Sequence, residues 1–290
     1  MSLLGRERYP KGANRSQIFR GLCSGPMSVL HAIVLGAVQG FTEFIPVSSS
    51  GHLVLVPEAL GWDQPGLAFD VLLHVASLVA LLVYFAPDLK RIVTGSIRGD
   101  ASSRRLVGLL AIGTIPAAIA GLLLNDYFEE AFTDARASAL QLLMTAAILV
   151  GAELIARRHQ RRATRLRTME DLNATDATVI GIAQAISILP GISRSGSTIG
   201  AGLILKMERD DAARFAFLLS IPALFGATLV KVPDMGGIEL TSGAAIAGFA
   251  ASLASSYFAI AGLIRYLRTR TLYPFAAYCV VAGLGFYAIV

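Results

Sequence analysis

Apolar residues gather into six long runs with short polar connections between them, approximately Leu67 to Ala86, Leu106 to Leu124, Ser138 to Ala156, Ala212 to Lys231, Gly243 to Ile264 and Tyr273 to Val290. An α-helix needs about 20 mostly apolar residues to cross a hydrocarbon layer roughly 30 Å thick, and each run approaches that length. The connections are too short to hold a separate soluble domain. The pattern therefore predicts an all-α integral membrane protein whose residues 27–290 form one polytopic domain.

Two further apolar stretches are interrupted. One reads Gly36-Ala-Val-Gln39-Gly-Phe-Thr-Glu43-Phe-Ile-Pro46-Val-Ser48-Ser49-Ser50-Gly51-His52, the other Gly181-Ile-Ala-Gln184-Ala-Ile-Ser187-Ile-Leu-Pro190-Gly191-Ile-Ser193-Arg194-Ser195-Gly196-Ser197-Thr198. Both run Gly-x-x-Gln, a short apolar stretch, a proline, then hydroxyls and glycine. Proline ends or kinks a helix, and the polar backbone that follows is tolerated at membrane depth only inside protein or against a wet cavity. Each stretch is predicted to be a re-entrant helical hairpin, and the two to face each other. Three spans separate them, an odd number, so the second enters from the opposite side. The expectation is six transmembrane helices plus two re-entrant hairpins in an inverted repeat, approximately 27–156 and 177–290.

Composition agrees: 54% of the residues are hydrophobic and 16% charged, with a mean hydropathy of +0.63, outside the balance of soluble domains. The net charge of +5 would suggest nucleic acid if its residues were clustered on one face. Instead they fill connections. Lys90, Arg91, Arg98, Arg104 and Arg105 occupy one, Arg157, Arg158, Arg161, Arg162, Arg165 and Arg167 a second, and Arg265, Arg268 and Arg270 a third. Positive residues stay cytoplasmic, so these loops are predicted inside and the acidic segment Asn125 to Asp134 outside. The excess is topological, and no nucleic-acid partner is expected. Cys23 and Cys279 lie near opposite ends of the chain and predict no disulfide. Residues 1–26 hold Arg6, Arg8, Lys11, Arg15 and Arg20 without the apolar core of a signal peptide, and read as a flexible basic tail, or as an upstream extension if translation starts at Met27.

The interrupted segments carry the chemistry. Gln39 and Glu43, four residues apart, share one helix face and are the candidate ligands for a cation. His52 exchanges protons near neutrality, and Ser48, Ser49 and Ser50 supply hydroxyls, one of them a nucleophile if a base reaches it. Arg194 is a permanent cation suited to phosphate, flanked by Ser193, Ser195, Ser197 and Thr198, with Gly191 and Gly196 opening the backbone to an anion. Together these form a phosphate site with an acid, a base and a metal position. A buried ion pair of Glu43 with Arg194 is the plainer reading, but it leaves the hydroxyls, glycines and histidine unexplained. His74, one turn beyond Asp70, reads as an interfacial group at the mouth of a span, with a supporting role behind the site as the lesser alternative, and Glu153 as a helix-end partner of the Arg157 cluster. His31 and His159 carry no signal.

Gln39-x-x-x-Glu43, Pro46-Val-Ser-Ser-Ser-Gly-His52 and Pro190-Gly-Ile-Ser-Arg-Ser-Gly-Ser-Thr198 resemble the signature motifs of bacterial undecaprenyl-diphosphate phosphatases, the bacitracin-resistance protein family, and the likeness extends from Met27 nearly to the end of the chain. The family takes Glu or Gln at its leading position, which leaves the obligatory carboxylate here at Glu43. Many members have Thr where this chain has Ser50.

The resemblance implies an enzyme that hydrolyses undecaprenyl diphosphate to undecaprenyl phosphate and inorganic phosphate. That reaction recycles the lipid carrier for peptidoglycan and confers bacitracin resistance. Glu43, Ser49, His52 and Arg194 would be catalytic. Gln39, Ser48, Ser50, Gly191, Ser193, Ser195 and Thr198 would bind substrate, and a divalent cation, Mg2+ or Ca2+, would sit on Gln39 and Glu43. Ser49 with His52 or Glu43 as base, His52 itself, and an activated water all remain open as the attacking group. The expected partners are a polyprenyl diphosphate and membrane lipids, with a homodimer compatible. The expected location is the bacterial plasma membrane, with the site open to its outer face. Two alternatives frame this reading. A lipid-phosphate transporter or flippase would also use inverted repeats with broken helices, but needs less proton-transfer chemistry. The acid-phosphatase-like lipid phosphatases place a His soon after their Ser-Arg, and none follows Ser193-Arg194.

Overall fold

The computed structural model describes residues 27–123, 135–162, 165–189, 191–231 and 242–289. The predicted tail, the acidic outer segment and Pro190 lie outside the described residues. Within them the protein is built of helices and their connections, the one isolated β-bridge joining Arg167 to Met207. The helices are α1 (Val29–Phe44), α2 (Ser49–Leu60), α3 (Leu67–Tyr84), α4 (Ala86–Arg98), α5 (Ala101–Leu123), α6 (Ala135–Arg162), α7 (Ala174–Ile186), α8 (Arg194–Ile204), α9 (Arg209–Lys231), α10 (Ser242–Leu267) and α11 (Tyr273–Ile289).

A helix is found at each of the six apolar runs. Five of them, α3, α5, α6, α9 and α10, are long and apolar enough to cross a membrane, while α11 is described over 17 residues. Large apolar side chains stand exposed on them, including Ile115, Leu122, Phe225, Phe258 and Val281. So wide an apolar exterior suits lipid rather than water, and the chain is a multi-pass membrane protein. The first run does not reach Ala86 as a continuous helix. It breaks at Phe85, which is fully buried and closes α3 as it opens α4. The basic stretch beyond is thus the amphipathic α4 rather than a loop, with Ile92 as its buried side chain and Asp88 held by Arg214 through two contacts of 2.8 Å.

The interrupted segments fold as short helix pairs. Ser28 caps α1 by accepting the His31 N–H, and the chain turns out of helix at Ile45, before Pro46, as proline demands of its predecessor. Asn173 and Asp176 form a reciprocal capping box that starts α7. Each first helix then packs on a span of the other half of the chain, α1 on α10 and α7 on α5. Glycine makes both crossings possible. A Cβ on Gly36 would run into the carbonyl oxygen of Gly248, and one on Gly181 into that of Gly113. Close backbone approach through small residues is how helices associate where water supplies no driving force. Hydroxyls join α10 to α3: Ser256 Oγ donates to Ser77 Oγ at 3.0 Å and Ser252 Oγ to the Leu73 carbonyl at 3.0 Å.

Glu153 departs from its expected role. It does meet Arg157, at 3.4 Å, but its main partner is Arg209, which approaches both carboxylate oxygens at 2.9 and 2.6 Å, and the Leu272 N–H adds a bond of 3.0 Å. The carboxylate is fully buried and ties together α6, the start of α9 and the turn into α11. Removing one partner of a buried pair strands the other, at a cost of about 3–5 kcal/mol. Glu153→Gln is therefore expected to lower the thermal unfolding temperature in detergent by many degrees. An unchanged transition would show that the cluster holds nothing together.

Candidate functional site

The two interrupted segments meet, and Glu43 is where they do. Its Oε1 accepts a bond from Arg194 Nη2 at 2.5 Å, while Oε2 accepts from Ser49 Oγ at 2.5 Å and from Gln39 Nε2 at 3.1 Å. The carboxylate thus sits on α1, its hydroxyl partner on the first turn of α2 and its guanidinium on the first turn of α8. Gln39 and Glu43 are buried, as the i, i+4 spacing in an inward-facing helix requires. Arg194 keeps part of its side chain accessible. A second junction lies nearby, where the Gly191 N–H approaches Ser50 Oγ at 3.4 Å.

Local backbone explains how the loops hold these positions. Ser48 caps α2 from a left-handed conformation, φ 71°, rare for a residue with a Cβ, and its hydroxyl faces the Gly51 N–H. Strain of this sort persists where surrounding structure imposes it. Gly191 has φ 82°, which glycine alone adopts freely, and a Cβ there would strike Gln141. Thr145 of α6 brackets this turn, donating to the Gly191 carbonyl at 2.8 Å and accepting the Ser193 N–H at 3.0 Å.

The remaining candidates divide. His52 is buried, with Nδ1 2.7 Å from the Ser48 carbonyl and Nε2 2.8 Å from the Tyr278 hydroxyl. A carbonyl only accepts, so Nδ1 carries the proton and in the neutral ring Nε2 accepts from Tyr278. Both nitrogens are thereby engaged away from Glu43, and the base in contact with Ser49 is the carboxylate. Ser193 spends its hydroxyl capping α8, on the Gly196 N–H at 3.1 Å, and lies 3.2 Å from Ser195 Oγ. Thr198 donates back to the Arg194 carbonyl at 2.8 Å. These three hydroxyls shape the loop around Arg194.

His74 favours the lesser of its two readings, a place beside the site. Its Nδ1 sits 2.7 Å from the Asp70 carbonyl, which aims Nε2 inward, 3.8 Å from Glu43 Oε2. Tyr278 and Thr145 were beyond sequence reasoning as site residues. Each comes from a span, with no neighbouring motif, and only tertiary packing brings it in.

Whether the site fits a divalent cation turns on its oxygens. Gln39 Oε1 is buried and unpartnered among the described residues, next to the Glu43 carboxylate. Hard cations take such a pair of donors. Among the described residues no group of three His, Cys, Asp or Glu side chains gathers to hold a metal. A cation here would complete its shell with water and ligand oxygens, as Mg2+ commonly does. The residues fit on those terms.

A sequence profile of the family described as bacitracin resistance protein BacA matches residues 32–285. The chain belongs to the BacA family. Among its relatives, a protein named undecaprenyl-diphosphatase from Methanosphaera stadtmanae is 39% identical over 274 residues, covering 89% of this chain and 96% of the relative. Proteins of the same name from Gemmatimonas aurantiaca and Syntrophotalea carbinolica are 41% and 42% identical, over 90% and 91% of this chain and 98% and 99% of theirs. The BacA profile spans both interrupted segments, so the Glu43–Arg194 junction lies wholly within the family region.

Proposed function

We propose that this BacA-family protein hydrolyses undecaprenyl diphosphate to undecaprenyl phosphate and inorganic phosphate, recycling the lipid carrier of peptidoglycan synthesis and conferring resistance to bacitracin. The observation that carries the chemistry is the hydrogen bond from Ser49 Oγ to a Glu43 carboxylate whose other oxygen is held by Arg194. The relatives named undecaprenyl-diphosphatase, alike along nearly their whole length, support the substrate. A 55-carbon tail lies between helices and lipid, so only the head group must enter the site.

In this reading Arg194 binds non-bridging oxygens of the terminal phosphate and orients it toward Ser49. Ser49 Oγ attacks the terminal phosphorus and gives its proton to Glu43. The bond to the bridging oxygen breaks, and undecaprenyl phosphate departs with that proton. Water then attacks the phosphoserine with Glu43 again as base, releasing phosphate and restoring Ser49. A divalent cation on Glu43 and Gln39 would neutralise charge on the diphosphate oxygens. His74 Nε2 stands 3.8 Å from the same carboxylate, and the Ser48–His52–Tyr278 chain keeps the α2 start in place.

The architecture proposed is six membrane spans and two re-entrant hairpins in an inverted repeat. Its support is the matched packing of α1 on α10 and α7 on α5, each through a glycine at the same place in the Gly-x-x-Gln motif. The location proposed is the bacterial plasma membrane, with the site open outward, because the basic connections then lie inside. In a variant with Cys23 and Cys279 replaced, Ser50→Cys is expected to react with an impermeant thiol reagent from outside the cell. Reaction from the cytoplasmic side alone would reverse the orientation.

Purified protein is expected to release phosphate from undecaprenyl diphosphate in detergent and to stop when a chelator removes divalent cations. Turnover unaffected by chelation would remove the cation from the reading. Binding of the lipid without phosphate release would make the site that of a carrier or flippase.

A further inference from the structure

Far from Glu43 in the sequence, where α6 ends, α9 begins and α10 turns into α11, lies a cleft of about 420 Å³ lined by Arg157, Arg161, Arg209, Arg268 and Arg270 with Gln160, Thr269 and Thr271. Two carboxylates touch these arginines, Glu153 on Arg209 and Arg157, and Asp210 on Arg268 at 3.6 Å. Five guanidiniums against two carboxylates leave the cleft with an excess of three positive charges. Arg161 and Arg270 make no ion pair among the described residues.

Part of this cleft is rigid in a way that scattered loop arginines are not. Arg209 is almost wholly buried and clamped by both oxygens of Glu153, which leaves it further N–H donors in fixed positions. Arg157 is fixed between the same carboxylate and the face of Tyr273, 4.8 Å from the ring centroid. The threonine hydroxyls add donors that carry no charge. Preorganised guanidiniums with hydroxyls beside them suit the several oxygens of a phosphate group, and donors already held in place lose little freedom on binding. Positive-inside placement explains basic residues in this connection, yet it asks for neither a cavity nor a buried carboxylate that orients them.

We propose that this cleft binds a phosphate-bearing anion, supplied by an anionic lipid head group or by free phosphate, at the end of the bundle opposite the outward-facing opening. The site is separate from the Glu43–Arg194 junction and does not depend on the reaction assigned to it.

The test titrates full-length protein in neutral detergent with dioctanoyl phosphatidylglycerol, with inorganic phosphate and, as zwitterionic control, with dioctanoyl phosphatidylcholine. Arg161→Gln with Arg270→Gln removes two exposed charges from the cleft while keeping the Glu153 cluster. Arg98→Gln with Arg162→Gln removes as many charges outside it. At about 1 kcal/mol for each basic residue meeting an anionic lipid, the cleft pair should weaken binding roughly thirtyfold. The control pair should change it less than about threefold. Loss confined to phosphatidylglycerol identifies a lipid head group, and loss of phosphate binding alone identifies a soluble ligand. Phosphate bound at Arg194 would be indifferent to the cleft pair, so the two sites are told apart. The proposal is overturned if neither anion binds, if phosphatidylcholine binds equally well, or if the two pairs of substitutions weaken binding alike.

Discussion

Glu43→Gln is expected to lower phosphate release from undecaprenyl diphosphate by about a thousandfold, while the protein still folds and still extracts from the membrane as one species. The substitution keeps the side-chain volume and an oxygen able to accept from Ser49, so packing changes little. What is lost is a base. An amide does not take the Ser49 proton, and general-base assistance contributes about 10²- to 10⁴-fold. The neutral side chain also leaves Arg194 without its counter-charge at 2.5 Å, which favours substrate binding and offsets a weaker hold on a cation. The loss should therefore fall on kcat with KM unchanged or lower. Purified variant assayed under saturating lipid gives the answer, and a Glu43→Gln enzyme retaining a tenth of wild-type kcat would remove the carboxylate from the chemistry.

Gly36→Ala and Gly181→Ala are expected to destabilise the fold far more than alanine at an uncrowded helical glycine. In both, the added methyl meets a carbonyl oxygen of the crossing helix, Gly248 in one and Gly113 in the other. Backbone cannot rotate aside as a side chain can, so α1 must lift off α10, or α7 off α5. Overpacking in a tight interior costs about 1–3 kcal/mol, and here the displacement also shifts α1, which carries Glu43, or α7, which leads into the turn before Arg194. Gly151→Ala is the control, since a Cβ there has nothing within 4 Å and the helix gains up to about 1 kcal/mol from alanine. Thermal unfolding in detergent should show two lowered transitions and one unchanged or raised. Equal behaviour of Gly36→Ala and Gly151→Ala would mean that the crossings are looser than the structure has them.

The helices and the heart of the site were legible in the chain because their signals are local. An apolar run announces a span through its own composition, and Gln39 and Glu43 declare a shared face through their spacing. The repeated Gly-x-x-Gln pattern and the serines after Pro46 and before Arg194 likewise sit within a few residues of one another. Features made by distant residues left no such trace. His52 and Tyr278 are 226 positions apart, and Tyr278 looks like any aromatic of an apolar helix. His74 was placed first at the mouth of a span from its spacing to Asp70, whereas its nearest charged neighbour is Glu43 on another helix. Glu153 could be matched with Arg157 one turn away, but not with Arg209, 56 positions on. The break at Phe85 was hidden for a different reason: an apolar run records burial, and a buried aromatic serves equally well inside a helix and at its corner.

The exchange of partners between the halves, α1 lying on α10 and α7 on α5, also bears on biogenesis. As the ribosome delivers the chain, α1 emerges long before the helix that covers it. Its Gly36 face must wait uncovered through the synthesis of most of the protein, whereas Glu43 can meet Arg194 as soon as α8 appears. α7 faces no such delay, because α5 is already in the membrane when it appears. α1 is therefore left without its principal packing partner until α10 arrives, late in synthesis.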